Sequence, residues 1–166
     1  MSNEAIPGLA YSTPEAPPAH VKEVHIAFAG IGIGLFALVA LWGAWCWRAA
    51  RPSAWFWRLL RAAQLTVLIE MGIGGLLVAL GHKPRQLHLI YGALPVLVSL
   101  VAESLRIAAA QMILDQRGLE GTRAVRKLRR EEQRALVVAI IKRELGVMAL
   151  AAAVIVVLLA RAVATG

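Results

Sequence analysis

Four apolar stretches, each about as long as a bilayer is thick, alternate in this chain with connections whose basic residues fall on one side. A hydrocarbon core about 30 Å thick needs about 20 helical residues at 1.5 Å each. Stretches at about 25–47, 58–81, 86–106 and 143–162 meet that requirement. Fourteen of the eighteen Lys and Arg residues lie between Arg48 and Arg61 or between Arg106 and Arg143. The positive-inside rule then places these two segments in the cytoplasm and both termini outside. Lipid offers the backbone no hydrogen-bond partner, so each span must be a helix. The breaks at Pro52 and Ser53 and at Gly81 to Pro84 are short, which makes neighbouring helices antiparallel. The expected fold is all-α, an up-down-up-down bundle of four transmembrane helices.

Helices three and four carry further apolar runs, 107–114 and 135–141, beyond the first basic residues. They are expected to project from the bilayer as a cytoplasmic helical hairpin over about 107–142. Residues 1–23 contain Pro7, Pro14, Pro17 and Pro18 and are expected to be a disordered outer tail, with 24–166 forming one membrane domain.

The 59% hydrophobic content exceeds the 45–50% usual for soluble domains, and the net charge of +8 has to be interpreted with that in mind. In a soluble protein it would point to nucleic acid; beside apolar spans it points to anionic headgroups on the cytoplasmic side, and no nucleic-acid partner is expected. Arg123, Arg126, Lys127 and Arg130 are the candidate lipid- or partner-binding residues, in a helix where Lys127 and Glu131 have the spacing of an ion pair. All five tryptophans lie between Trp42 and Trp57, where an interfacial belt would stand. One cysteine, Cys46, allows no intrachain disulfide, and no Cys/His spacing suggests a metal site. The excess of Arg over Lys and the abundance of Ala suggest a bacterial inner membrane.

Ionisable groups inside a bilayer are costly, so each is a functional candidate. Glu70 stands about ten residues from either end of its span and is expected to be neutral, with Thr66 one turn away and Ser99 at similar depth on the third span. Glu103, near the inner end of the third span, is expected to pair with Lys142 or Arg143. His88, Gly92, Pro95, Ser99 and Arg106 recur at helical spacing and define the face turned toward other helices. Gly30 and Gly34 form a small-xxx-small pair suited to close helix packing. His25 and His88 begin two spans that run in the same direction, and imidazoles on two helices can ligate a haem axially.

No catalytic motif is present: neither a Walker loop, nor Gly-x-Ser-x-Gly, nor His-Glu-x-x-His. The expected function is therefore that of an accessory or structural subunit in an inner-membrane complex, such as a respiratory one, with other membrane subunits or a second copy as partners, no activity of its own and no resident cofactor. The alternative is a b-type haem protein using His25 and His88 with quinone contact near Glu70. Proton-coupled transport through Glu70 is the third reading.

Overall fold

A computed structural model describes residues 19–119 and 121–166. They form α1 (Ala19–Ala49), α2 (Ala54–Ala79), α3 (Gln86–Gln116), the short α4 (Gly121–Lys127) and α5 (Arg130–Thr165). Among the described residues there is no strand, and α1, α2, α3 and α5 are each long and apolar enough to cross a membrane. The chain is all-α with four candidate spans, as a multi-pass membrane protein requires. Of the tail expected over 1–23, residues 1–18 lie outside the described residues, while 19–23 belong to α1. Nothing from Ala19 to Glu23 breaks a helix, so the turn nucleated in the apolar span continues outward.

Three helices terminate by the same device. The Arg51 amide donates to the Cys46 carbonyl, His82 to Leu77 and Leu119 to Leu114, each at 3.0 Å. This closure requires a left-handed residue just past the helix, here Ala50 (φ 49°), Gly81 (φ 92°) and Gly118 (φ 62°). Glycine takes that conformation freely, whereas an L-residue loses about 1–2 kcal/mol there. Ala50→Gly is therefore expected to stabilise the protein by about 1 kcal/mol after its greater unfolded-state freedom is subtracted. A rise in the thermal midpoint in mild detergent would show it; a fall would mean that the Ala50 methyl makes an offsetting contact.

α2 begins where Pro52 and Ser53 break the chain. Ser53 Oγ accepts the Phe56 amide at 3.3 Å, capping the helix, and also accepts the Trp42 indole N–H at 3.2 Å. The far connection departs from expectation. The helix is interrupted at Leu128 and Arg129, with Arg129 extended (φ −63°, ψ 152°) as the N-cap of α5. Lys127 and Glu131 therefore sit on different helices, and the i,i+4 pair expected between them does not form. Glu132 instead accepts the Arg129 amide at 2.9 Å, and Gln133 Nε2 donates to the Val125 and Leu128 carbonyls that end α4.

α5 is the centre of the packing: it lies against both α1 and α3, α2 lies against α1, and α2 and α3 touch only sparsely. The core runs along the shared seam through Phe36, Val39, Phe56, Leu60, Leu145 and Met148. The closest approach is at Gly43, where a Cβ would stand 2.6 Å from Phe56 Cε2 and 2.9 Å from the Ala149 Cβ. Gly30 and Gly34, the pair expected to let helices close on each other, are exposed with nothing within 4 Å of a Cβ. Among the described glycines within helices, the closest approaches are at Gly43 and, against the Trp47 indole, Gly146.

Polar bonds reinforce the sparse α2–α3 seam. Glu103 accepts from Arg61 and Gln64 of α2 and from Arg106 of its own helix at 3.0 Å; Arg106 in turn reaches Glu144 on α5 at 3.9 Å. The partner of Glu103 is thus on α2, not Lys142 or Arg143 as expected, because those two cations lie on a different side of α5 from Glu144. Arg106 also lies over the Trp57 ring at 5.2 Å.

Candidate cofactor site at the histidine end

The start of α1, the end of α2, the start of α3 and the end of α5 come together at one end of the molecule, and residues without bulk keep them from filling the space between. Gly30, Gly74, Gly75, Gly92, Ala93 and Ala162 help line a cavity of about 670 Å³. Elsewhere its wall is apolar, from Ile33, Leu77 and Leu89, and its rim carries Lys22, His82 and Arg85.

His25 and His88 face each other across this cavity with ring centroids 6.1 Å apart and planes at 72°. His88 Nδ1 is 2.9 Å from the Ala162 carbonyl. A carbonyl only accepts, so Nδ1 carries a proton, which makes Nε2 the nitrogen left to face a metal; a bond of this kind orients a ligating imidazole. His25 Nδ1 is buried and has no hydrogen-bond partner among the described residues. Gly74 makes room for that ring: a Cβ there would stand 3.4 Å from His25 Cε1.

Glu70 also lines the cavity, and its Oε2 is buried without a hydrogen-bond partner among the described residues. Opposite it on α1 is Gly32, where a Cβ would lie 3.6 Å from Oε2. Thr66, expected as its partner, donates its hydroxyl to the Ala62 carbonyl of its own helix at 2.9 Å instead. Inside a helix a threonine finds that carbonyl without any tertiary rearrangement.

The structure brings His25, His88, Glu70, Gly30 and Gly92 to one cavity. Ser99 is partly buried and Pro95 buried, both on α3 beyond its lining. Glu103 belongs to the ionic cluster at the α2–α3 seam. Arg123, Arg126, Lys127 and Arg130 are exposed on α4 and the first residue of α5. Sequence reasoning missed the cationic rim, although the signal was there: Lys22 stands three residues before His25 and Arg85 three before His88, which puts each cation on its histidine's face.

No protein-family model matches the chain, and neither the curated proteins nor the solved structures include one that is similar to it.

Proposed function

We propose that the chain is a small multi-pass protein of a bacterial inner membrane that holds a b-type haem between His25 and His88 and passes electrons through it. The observation that carries this reading is the 6.1 Å separation of the two imidazoles over one cavity. His25 and His88 would hold such a group between them, their rings being far enough apart for a metal ion to be shared by the two imidazoles. The oriented His88 and the lack of side chains at Gly30 and Gly92 fit such a group. Lys22 and Arg85 on the rim suit its two carboxylates. When bound, the haem supplies one-electron chemistry. The protein's residues would hold it, orient it and exclude water, while Glu70 offers a free carboxyl oxygen to a quinone or a proton.

In this reading the four spans run up-down-up-down, the basic connections and a hairpin made from the ends of α3 and α5 face the cytoplasm, and both termini are outside. The test is an absorbance spectrum of protein purified after haem-replete expression. A Soret band, with α and β bands sharpening on reduction, is expected; a colourless preparation rejects the proposal.

A second reading, an accessory subunit of a larger membrane complex, is favoured by Gly30 and Gly34. Gly34 lies open on α1, and Gly30, one turn away, is exposed at the edge of the cavity, so a helix of another subunit or of a second copy could pack closely beside them. Purification in mild detergent tests it: a stoichiometric partner or a homo-oligomer supports it, and a lone monomer argues against it.

A further inference from the structure

We propose that a groove at the opposite, basic end of the bundle binds one anionic glycerophospholipid, with its phosphate at Arg117, Lys142 and Arg143 and an acyl chain lying along α5. The groove, of about 1000 Å³, is open to the outside and bounded by α1, the last turns of α3 and α5. It exists because α1 and α3 both pack on α5, while α1 ends at Ala49 and α3 runs on to Gln116. Its apolar part is walled by Leu41, Ala44, Leu150 and Ala153, small enough in sum to leave a trough rather than a packed seam.

Charge complementarity selects the occupant. Arg117 caps the end of α3, Lys142 and Arg143 lie on α5, and all three residues are exposed. None of them pairs with a carboxylate among the described residues, in contrast to Arg61 and Arg106 at the seam. Three uncompensated cations around one end of an apolar trough repel each other until an anion joins them, and basic pockets between membrane helices bind phospholipid headgroups on that basis. Arg143 already leans toward α3, with Nη2 3.9 Å from Met112 Sδ, so cations from both helices face the same space.

Length and position agree with a lipid rather than a free anion. From Lys142 to Ala153 is eleven residues of α5, about 16 Å, close to half of a hydrocarbon core about 30 Å thick. The Trp47 indole lies against Gly146, where a Cβ would be 3.1 Å from Nε1, and forms the groove wall just inside the cations. That is the level at which tryptophan meets headgroups in a bilayer.

The test is native mass spectrometry of the full-length protein from mild detergent, after incubation with phosphatidylglycerol or with phosphatidylcholine. At least tenfold preferential retention of one phosphatidylglycerol is expected. The triple variant Arg117→Gln, Lys142→Gln, Arg143→Gln should abolish that preference, while Arg51→Gln, Arg58→Gln, Arg134→Gln, with the same change in charge, should keep it. Ala153→Trp leaves every charge in place and fills the trough, so it should lower retention severalfold and remains informative if the triple variant folds poorly. Equal losses in the two triple variants would reduce the effect to a general surface potential and overturn the proposal. So would full retention in Ala153→Trp, displacement of the lipid by millimolar inorganic phosphate, or a protein dimer appearing in place of the lipid adduct.

Discussion

His88→Ala is expected to leave the protein colourless when the unsubstituted chain, prepared alongside, carries haem. His88 would hold the group with its Nε2, because its Nδ1 donates to the Ala162 carbonyl, and its ring stands 6.1 Å from that of His25. Loss of a partner that merely orients a ligand already weakens metal binding by about 10–100-fold, and loss of the ligand itself exceeds that. His25→Ala should have the same effect, since one remaining imidazole cannot hold the iron from both sides. His82 lines the same cavity at its rim, so His82→Ala is the internal control and should retain the Soret band. Replacing Lys22 or Arg85 by Gln should weaken retention without abolishing it. Far-UV helicity must be unchanged in each variant, because the reading concerns binding rather than folding. Equal colour in His88→Ala and the unsubstituted protein would end the bis-histidine assignment even if the spectrum shows haem.

The second large effect is expected at Gly43. A Cβ at this position would lie 2.6 Å from Phe56 Cε2 and 2.9 Å from the Ala149 Cβ, on side chains that cannot retreat. Phe56 is fully buried, and a β-carbon moves only with its backbone. Gly43→Ala therefore forces α1 away from α2 and α5 together. Overpacking of this kind costs typically 1–3 kcal/mol, offset by the 0.5–1 kcal/mol that alanine gains over glycine within a helix. A net destabilisation of about 1–2 kcal/mol is expected, and a larger one for Gly43→Val. In a chain of this size that corresponds to a fall of about 2–4 °C in thermal midpoint per kcal/mol, measured in mild detergent. The same substitution at Gly34, where nothing lies within 4 Å, should be neutral or slightly stabilising in the monomer. Phe56→Leu in the Gly43→Ala background should recover part of the loss, because it removes the nearer of the two obstructing atoms. If Gly43→Ala and Gly34→Ala behaved alike, the contact between α1 and α2 at this level would not be the one described.

How far the sequence could be read differs from residue to residue. The breaks at Ser53 and Gly81 were legible, since a cap hydroxyl and a left-handed glycine act within a few residues of themselves. The interruption at Leu128 and Arg129 was not, because no Gly or Pro marks it and Arg129 is a good helix former; it depends on Glu132 and Gln133 holding the loose amide and carbonyls. Glu103 needs a cation at its depth, and the sequence leaves open which helix supplies it; the structure has Arg61 of α2. Arg61 lies near the inner start of the second span at a comparable depth, so depth alone left both α2 and α5 eligible. Thr66 satisfied itself within its own helix, an outcome that spacing from Glu70 did not reveal.

By itself the sequence determined the solvent of this protein and its elements: four apolar helices of bilayer length, the basic segments between them and the short breaks. Those follow from local quantities, namely the cost of an unbonded peptide group in lipid and the length of a helix residue. Only the tertiary structure decided which faces meet. These helices are apolar nearly all round, so the period of the sequence does not single out the side turned to a neighbour. Packing in lipid is instead won by steric fit. That fit chose Gly43 over Gly30 and Gly34 for close approach, and it left His25, His88 and Glu70 around a single space that none of their neighbours fills.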